Sequence, residues 1–337
     1  MDLTLTDDQA AVVELFSSFF ARESSPAVVR ASEALGFAPM LWARLQALGA
    51  GAISVGESFG GGGAGLLDAA LAVEQAGRHL APVPLVEHIV TSRLLERVGA
   101  ADELAGVLER GDPVSLALRP VATTAHLLPG GAVVPTFAAL TGERLVLVRS
   151  EAPGVPTPNG SGLAVADRSV VDGAPLARGA SAVGAHSTAV DEWRLLTAAM
   201  LVGLADAALE IGVAYVSERH QFGVPIGSFQ AIQHGLAEFP GPVSGARLLV
   251  ARAAWRADHD ENDRLPVDAS MALLFATELA RSVTSRVLHY HGGYGVMEEY
   301  DIQLHYRRAR GWPAQLGDPA AELDRVARLL YGPSGGR

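Results

Sequence analysis

Neither cysteine nor lysine occurs anywhere in the 337-residue chain. The first absence excludes disulfides, thiol nucleophiles and cysteine metal sites. The second excludes a Schiff-base lysine and the lysine of a phosphate-binding P-loop. All 26 basic residues are therefore arginine, which with the abundant alanine suggests a GC-rich coding sequence rather than a functional choice. Long apolar runs are also missing: Leu66–Val73 and Leu195–Leu204 are followed by polar residues well short of the roughly 20 residues of a membrane span. The start, Met1-Asp2-Leu3-Thr4, has no basic region and no apolar core, so no secretory signal is expected and the expected location is cytoplasmic. A net charge of −11 argues against a general nucleic-acid binder, while leaving room for a local arginine pocket for one phosphorylated ligand.

What is present suits a well-buried globular protein. Hydrophobic residues make up 49% of the chain and charged residues 19%. Apolar spacing predicts helices from Thr6 to about Ala21, from Pro39 to Leu48, over Leu66–Gly77 and over Leu85–Val98. From about Pro113 to Gly184 the texture turns β-like, with short runs at Val114–Leu118, Gly131–Val134 and Leu145–Val148 between Pro, Gly, Asn and Asp turns. Helical periodicity returns over Arg194–Glu218, Ser228–His259, Pro266–Tyr290 and Ala320–Leu330. The expected organisation is a helical block over 1–112, a small β-rich module over 113–187 and a helical bundle over 188–337. The run Gly60-Gly61-Gly62-Gly63 lacks the spacing and the preceding strand of a dinucleotide site, so a structural turn is the expected reading.

Two C-terminal segments carry more information. In Glu218-Arg219-His220-Gln221-Phe222-Gly223-Val224-Pro225-Ile226-Gly227 a helix ends at a glycine and a proline, and Ser228 is suited to cap the next one. Arg219 could hold a phosphate in its fork or equally bond the helix C-terminus. In His289-Tyr290-His291-Gly292-Gly293-Tyr294-Gly295 a long helix closes on glycines that let a backbone approach a ligand. The two histidines are two residues apart and do not share a helix face, so a metal site there is not expected.

Together these segments resemble the acyl-CoA dehydrogenase family. That family shows Arg-x-Gln-Phe-Gly-x-Pro-Ile…Phe-Gln…Gln-His, which stands here from Arg219 to His234, and a Gly-Gly-x-Gly pattern matched by Gly292 to Gly295. Trp42, Leu48-Gly49, Glu57-Ser58-Phe59-Gly60-Gly61, Glu74-Gln75-Ala76-Gly77-Arg78 and Ala81-Pro82-Val83-Pro84 extend the resemblance over nearly the whole chain outside the β module. It implies a mainly α fold: an N-terminal helical domain, a small central β-domain and a C-terminal four-helix bundle. It also implies FAD at a subunit interface and an acyl-CoA thioester, from which a carboxylate removes the α-proton while the flavin accepts hydride from the β-carbon. Arg219, Gln221, Phe222, Phe229 and Gln230 match positions that reach a neighbouring subunit's FAD. His289, Gly292 and Gly293 match contacts to its adenosine diphosphate part, and Arg194 matches an arginine near the acyl-CoA. The family usually passes its electrons to an electron-transfer flavoprotein.

Three departures stand out. His289 replaces the family's glutamine. Gln315-Leu316-Gly317-Asp318 puts leucine where the catalytic glutamate belongs, and Trp193 fills the alternative base position before Arg194. Only Glu192, one residue and about 100° away on a helix, and Asp318, two residues along a loop, remain as candidate bases. Third, the Thr-Glu-Pro…Gly-Ser-Asp stretch that lines the flavin is missing from the short β module. The resemblance then implies the base-lacking subunit of an α2β2 acyl-CoA dehydrogenase, its partner a second chain of the same family. A homo-oligomeric flavoenzyme using Glu192 or Asp318, and a non-redox binding or structural homologue without flavin, stay open.

Overall fold

A computed structural model describes residues 3–259 and 261–332. The N-terminal layer consists of α1 (Asp7–Glu23), α2 (Pro26–Ala31), α3 (Pro39–Ala47), α4 (Leu66–Arg78), α5 (Leu85–Arg97) and α6 (Ala101–Arg110). Thr6 caps α1 in a capping box with Gln9, and Phe16, Phe19 and Phe20 bury one face of the helix. The glycine run is a turn whose N–H groups are all consumed by the chain's own carbonyls: Gly60 to Glu57, Gly61 to Gly56, Gly62 to Ala52 and Gly63 to Val55. At the start of α4 the Asp258 carboxylate accepts from Leu66 N at 2.7 Å and Leu67 N at 2.9 Å, so a carboxylate of the chain itself occupies the place a phosphate would take at this helix end.

The middle of the chain forms β1 (Val114–Leu116), β2 (Thr124–Leu128), β3 (Thr136–Thr141), β4 (Arg144–Arg149), β5 (Ala166–Ser169) and β6 (Ala174–Arg178). The order β1-β3-β4-β6 makes one sheet, with β1 parallel to β3 and the other pairs antiparallel; β2 and β5 form a separate antiparallel ladder. His88 on α5 ties this module to the N-terminal layer, since its Nδ1 accepts from Val114 N at 3.2 Å. Burial holds that imidazole neutral, its pKa pushed down to about 3.

The C-terminal part begins with α7 (Gly179–Glu218), followed by the two-residue strands β7 (His220–Gln221) and β8 (Val224–Pro225). Then come α8 (Gln230–Ala237), α9 (Pro240–Asp258), α10 (Leu265–His291), α11 (Ile302–Ala314) and α12 (Pro319–Tyr331). Helices α7, α9, α10 and α11 pack together as the bundle, with α7 also packed on α4 and α5. Two glycines allow the closest approach: a Cβ on Gly77 would sit 2.0 Å from Met200 O, and one on Gly203 would sit 1.9 Å from Glu74 O. Over an 18-residue window α7 reaches a mean hydropathy of 1.7, enough in length and composition to cross a membrane, but 78% of that window is buried inside the protein, as in a core helix.

Three local expectations are corrected. The α7 helix starts at Gly179, inside the stretch read as β-like, because Ala182, Ala185 and Ala189 give it a buried face of small residues. Strand β3 lies at Thr136–Thr141, whereas 130–133 is a turn. The helix read over Ser228–His259 is two helices, parted where Pro240 opens α9.

Candidate functional site

The arginine motif folds into a hairpin on the surface. The α7 helix ends at Glu218; the short strands β7 and β8 pair His220 with Pro225 and Gln221 with Val224; Gly223 (φ +84°) makes the turn. Phe222 stands beside it at φ +54°, 93% exposed, and meets Phe229 edge-on with ring centres 6.1 Å apart. Arg219, Gln221, Phe229 and Gln230 are exposed too. Among the described residues no carboxylate pairs with Arg219; its guanidinium carbon lies 5.5 Å from the centre of the Tyr294 ring. The two C-terminal segments are thus one surface. Under it Tyr215 stacks on the buried His291 at 3.8 Å. His289, Gly292 and Gly293 are exposed, and a Cβ on either glycine would meet nothing within 4 Å. The guanidinium of Arg219 packs on an aromatic face rather than on the carbonyls ending α7.

A second region lies where the three layers meet. A cavity of about 60 Å³ is lined by Pro82–Pro84, Val86, Glu87, Gly162–Ala164, Thr197, Met200, Arg308, Trp312 and Gln315, among others. Gln315 also borders a wider groove of about 370 Å³ running along Ala117–Pro129. Glu87 is the buried carboxyl of the cavity; its Oε1 accepts from Trp193 Nε1 at 3.1 Å, and burial raises its pKa well above the usual carboxylate range. Glu87 was not singled out in the sequence, although a glutamate embedded in Leu85-Val86-Glu87-His88-Ile89-Val90 on a helix carries a signal of burial.

The candidate bases are occupied elsewhere. Glu192 is 2% exposed, and its Oε1 accepts from Arg93 Nη2 at 3.0 Å and from Arg97 Nη2 at 2.5 Å. Asp318 is exposed and caps α12, accepting from Ala320 N at 2.9 Å. Asp318 is committed to its cap, while Glu192 is held by two arginines through Oε1 alone, its buried Oε2 having no hydrogen-bond partner among the described residues. Arg194, expected near the acyl-CoA, is likewise engaged within the chain. It is 7% exposed, donates to Asp191 at 2.9 Å and holds both oxygens of Glu322 on α12 at 2.8 and 2.9 Å. Arg325 crosses the same cluster to Asp191 at 2.7 Å. The arginine therefore fastens the C-terminal helix to α7, with each of its three guanidinium nitrogens bonded to a carboxylate.

Known proteins resemble the chain over nearly its whole length. The chain is 32% identical to acyl-CoA dehydrogenase IpdE2 of Mycolicibacterium smegmatis over 97% of this chain and 100% of that one. It belongs to the acyl-CoA dehydrogenase family. Two family descriptions match it: "Acyl-CoA dehydrogenase, N-terminal domain" at residues 6–108 and "Acyl-CoA dehydrogenase, C-terminal domain" at residues 183–331. Benzylmalonyl-CoA dehydrogenase of Aromatoleum aromaticum is 30% identical, over 92% of this chain and 94% of that one. Among solved structures, the ChsE4-ChsE5 complex from Mycobacterium tuberculosis contains a chain that matches with a TM-score of 0.83, at 26% identity and covering 99% and 100% of the two chains. As an acyl-CoA dehydrogenase family protein, the chain is an oxidoreductase of the class acting on CH–CH bonds, and FAD is its cofactor.

The two regions suit the two ends of FAD unequally. The surface of Arg219 offers an arginine without a carboxylate partner, two exposed amides and an open glycine pair, which fits a diphosphate and its sugar. The cavity beside Glu87 is far below the roughly 300–1,000 Å³ of small-molecule sites, whereas the neighbouring groove falls within that range.

Proposed function

We propose that this chain is the base-lacking subunit of a hetero-oligomeric acyl-CoA dehydrogenase and shares its FAD with a second, unlike chain of the family. The observation carrying this reading is the commitment of its acidic side chains. Glu192 accepts from two arginines, Asp318 caps a helix, Glu87 is held by Trp193, and Leu316 stands at the base position. The arginine surface meanwhile points outward, as a contact to a neighbour's cofactor requires.

In this reading Arg219 would hold the diphosphate, with Tyr294 supporting its guanidinium. Gln221 and Gln230 donate or accept at the sugar and phosphates, Phe222 covers the cofactor from solvent, and Gly292 and Gly293 bring backbone close. His289 takes the glutamine's place and still offers a ring N–H. Bound FAD would supply the acceptor for the hydride leaving the β-carbon of the acyl-CoA. The α-proton goes to a carboxylate of the partner chain, which this chain positions by closing the interface. Similarity to a chain of the two-component ChsE4-ChsE5 complex supports a hetero-oligomer, and an electron-transfer flavoprotein is the proposed acceptor.

The test is a set of carboxamide variants in the assembled complex. Turnover per bound flavin is expected to survive Glu87→Gln and Asp318→Asn in this chain and to vanish on removing the partner's base. Loss of turnover with flavin and assembly intact in either variant of this chain would contradict the reading.

A further inference from the structure

The cavity at the junction of the three layers contains a cation whose bonding is incomplete. Arg307 and Arg308 share one carboxylate: Glu33 accepts from Arg307 Nη2 at 2.5 Å and from Arg308 Nη2 at 2.7 Å. Two guanidiniums against one carboxylate leave a local excess of one positive charge. Arg308, which lines the cavity, is 2% exposed, and its Nη1 is buried with no hydrogen-bond partner among the described residues. A buried donor left unmade on a charged group is costly, and a bound acceptor recovers that cost.

Nearby groups do not cancel this charge. Burial raises the pKa of the Glu87 carboxyl, which disfavours its charged form, and it pushes His305 down to about 4, so that imidazole is neutral. Much of the remaining lining is apolar: Val83, Leu163, Met200 and Trp312. The volume of about 60 Å³ exceeds the roughly 10–15 Å³ needed for one water. The site therefore combines one unspent cationic donor, a short apolar wall and room for a few non-hydrogen atoms.

We propose that this cavity binds a short-chain carboxylate, its carboxylate on Arg308 Nη1 and its alkyl end against Val83, Met200 and Trp312. Water alone could satisfy the hydrogen bond but would leave the charge uncompensated, which favours an anion over a water cluster. All the residues belong to this chain, so the site is independent of the subunit reading above.

Fluoroacetate is the probe, followed by ¹⁹F NMR on the full chain at constant ionic strength. Line broadening should saturate and be reversed by acetate and propionate. It should be untouched by acetamide, which lacks the charge, and by trimethylacetate, which is too bulky for the cavity. Arg308→Gln should weaken binding at least tenfold, and Arg308→Lys less. The size and charge controls need no variant, so they stand even where Arg308→Gln fails to fold. Absent or unsaturable broadening, equal competition by acetamide or trimethylacetate, or binding that survives in folded Arg308→Gln would overturn the proposal and leave water as the occupant.

Discussion

The guanidinium of Arg219 lies over the ring of Tyr294, its carbon 5.5 Å from the ring centre, and the contact joins the end of α7 to the turn after α10. The contact brings the family's two most specific motifs onto one surface while the arginine keeps its donors. An exposed cation–π contact of this kind contributes about 0.5–1 kcal/mol, and a charge-assisted hydrogen bond to an anion about 1.5–3 kcal/mol.

Arg219→Ala should therefore weaken FAD binding by the assembled protein roughly ten- to hundredfold, by the usual 1.4 kcal/mol per factor of ten. Tyr294→Leu should cost fivefold or less, since it loses only the orienting face, by the same arithmetic. Titration of deflavinated complex with FAD measures both. Equal losses would mean that the ring contacts the cofactor itself.

Glu192→Gln should act on stability. It leaves Arg93 and Arg97 beside an uncharged amide in a buried site, where breaking such a pair costs about 3–5 kcal/mol. Asp318→Ala should cost about 1 kcal/mol through the lost helix cap. Thermal denaturation gives both values. A large loss of turnover with unchanged melting in either variant would restore that residue as a base.

Helix α12 has no buried residue and is fastened by the cluster of Arg194, Asp191, Ser270, Glu322 and Arg325. Glu322 lies below the usual carboxylate range because, against the opposing effect of burial, its bonds with Arg194 prevail. Glu322→Gln should speed amide exchange throughout Pro319–Tyr331 by at least tenfold while α7 stays protected. Unchanged exchange would show that the helix is held by something other than this cluster.

The buried histidines predict acid sensitivity. An unfolded imidazole takes up a proton near pH 6.5, whereas folded His88 waits until about pH 3 and His305 until about 4. Their depressed folded values contribute stability above pH 6.5 that is lost progressively as the pH falls toward 4. Melting temperature should drop across that window, and His88→Gln, less stable at pH 7.5, should lose less of its stability by pH 5. A parallel drop in the variant would assign the acid effect elsewhere.

Much of the fold was legible because its helices carry clear spacing. Leu66–Arg78, Leu85–Arg97 and Leu265–His291 begin and end within a residue of where apolar periodicity and the end signals put them. Helix α11 was not read as a helix, since Arg307, Arg308, Arg310, Gly311 and Pro313 obscure its buried face; Pro313 falls in its last turn, beyond most of its hydrogen bonds. The start of α7 was hidden by alanine and glycine, which bury by fitting closely rather than by being strongly apolar.

The site was legible where it is local in sequence. The break between α7 and α8 follows from Gly223 and Pro225 in one segment, although the hairpin there, pairing Gln221 with Val224, was not read from it. The engagement of Arg194 by Glu322, of Glu192 by Arg93 and Arg97, and of Glu87 by Trp193 depends on residues far apart in the chain, which only packing brings together.

The most direct test of the shared-flavin account is FAD per chain, measured by visible absorbance and protein concentration after gel filtration. The chain should be colourless when expressed alone and should hold one FAD per pair of unlike chains when coexpressed with its second acyl-CoA dehydrogenase-like subunit. One FAD bound per chain by this protein alone, with acyl-CoA turnover, would contradict the account.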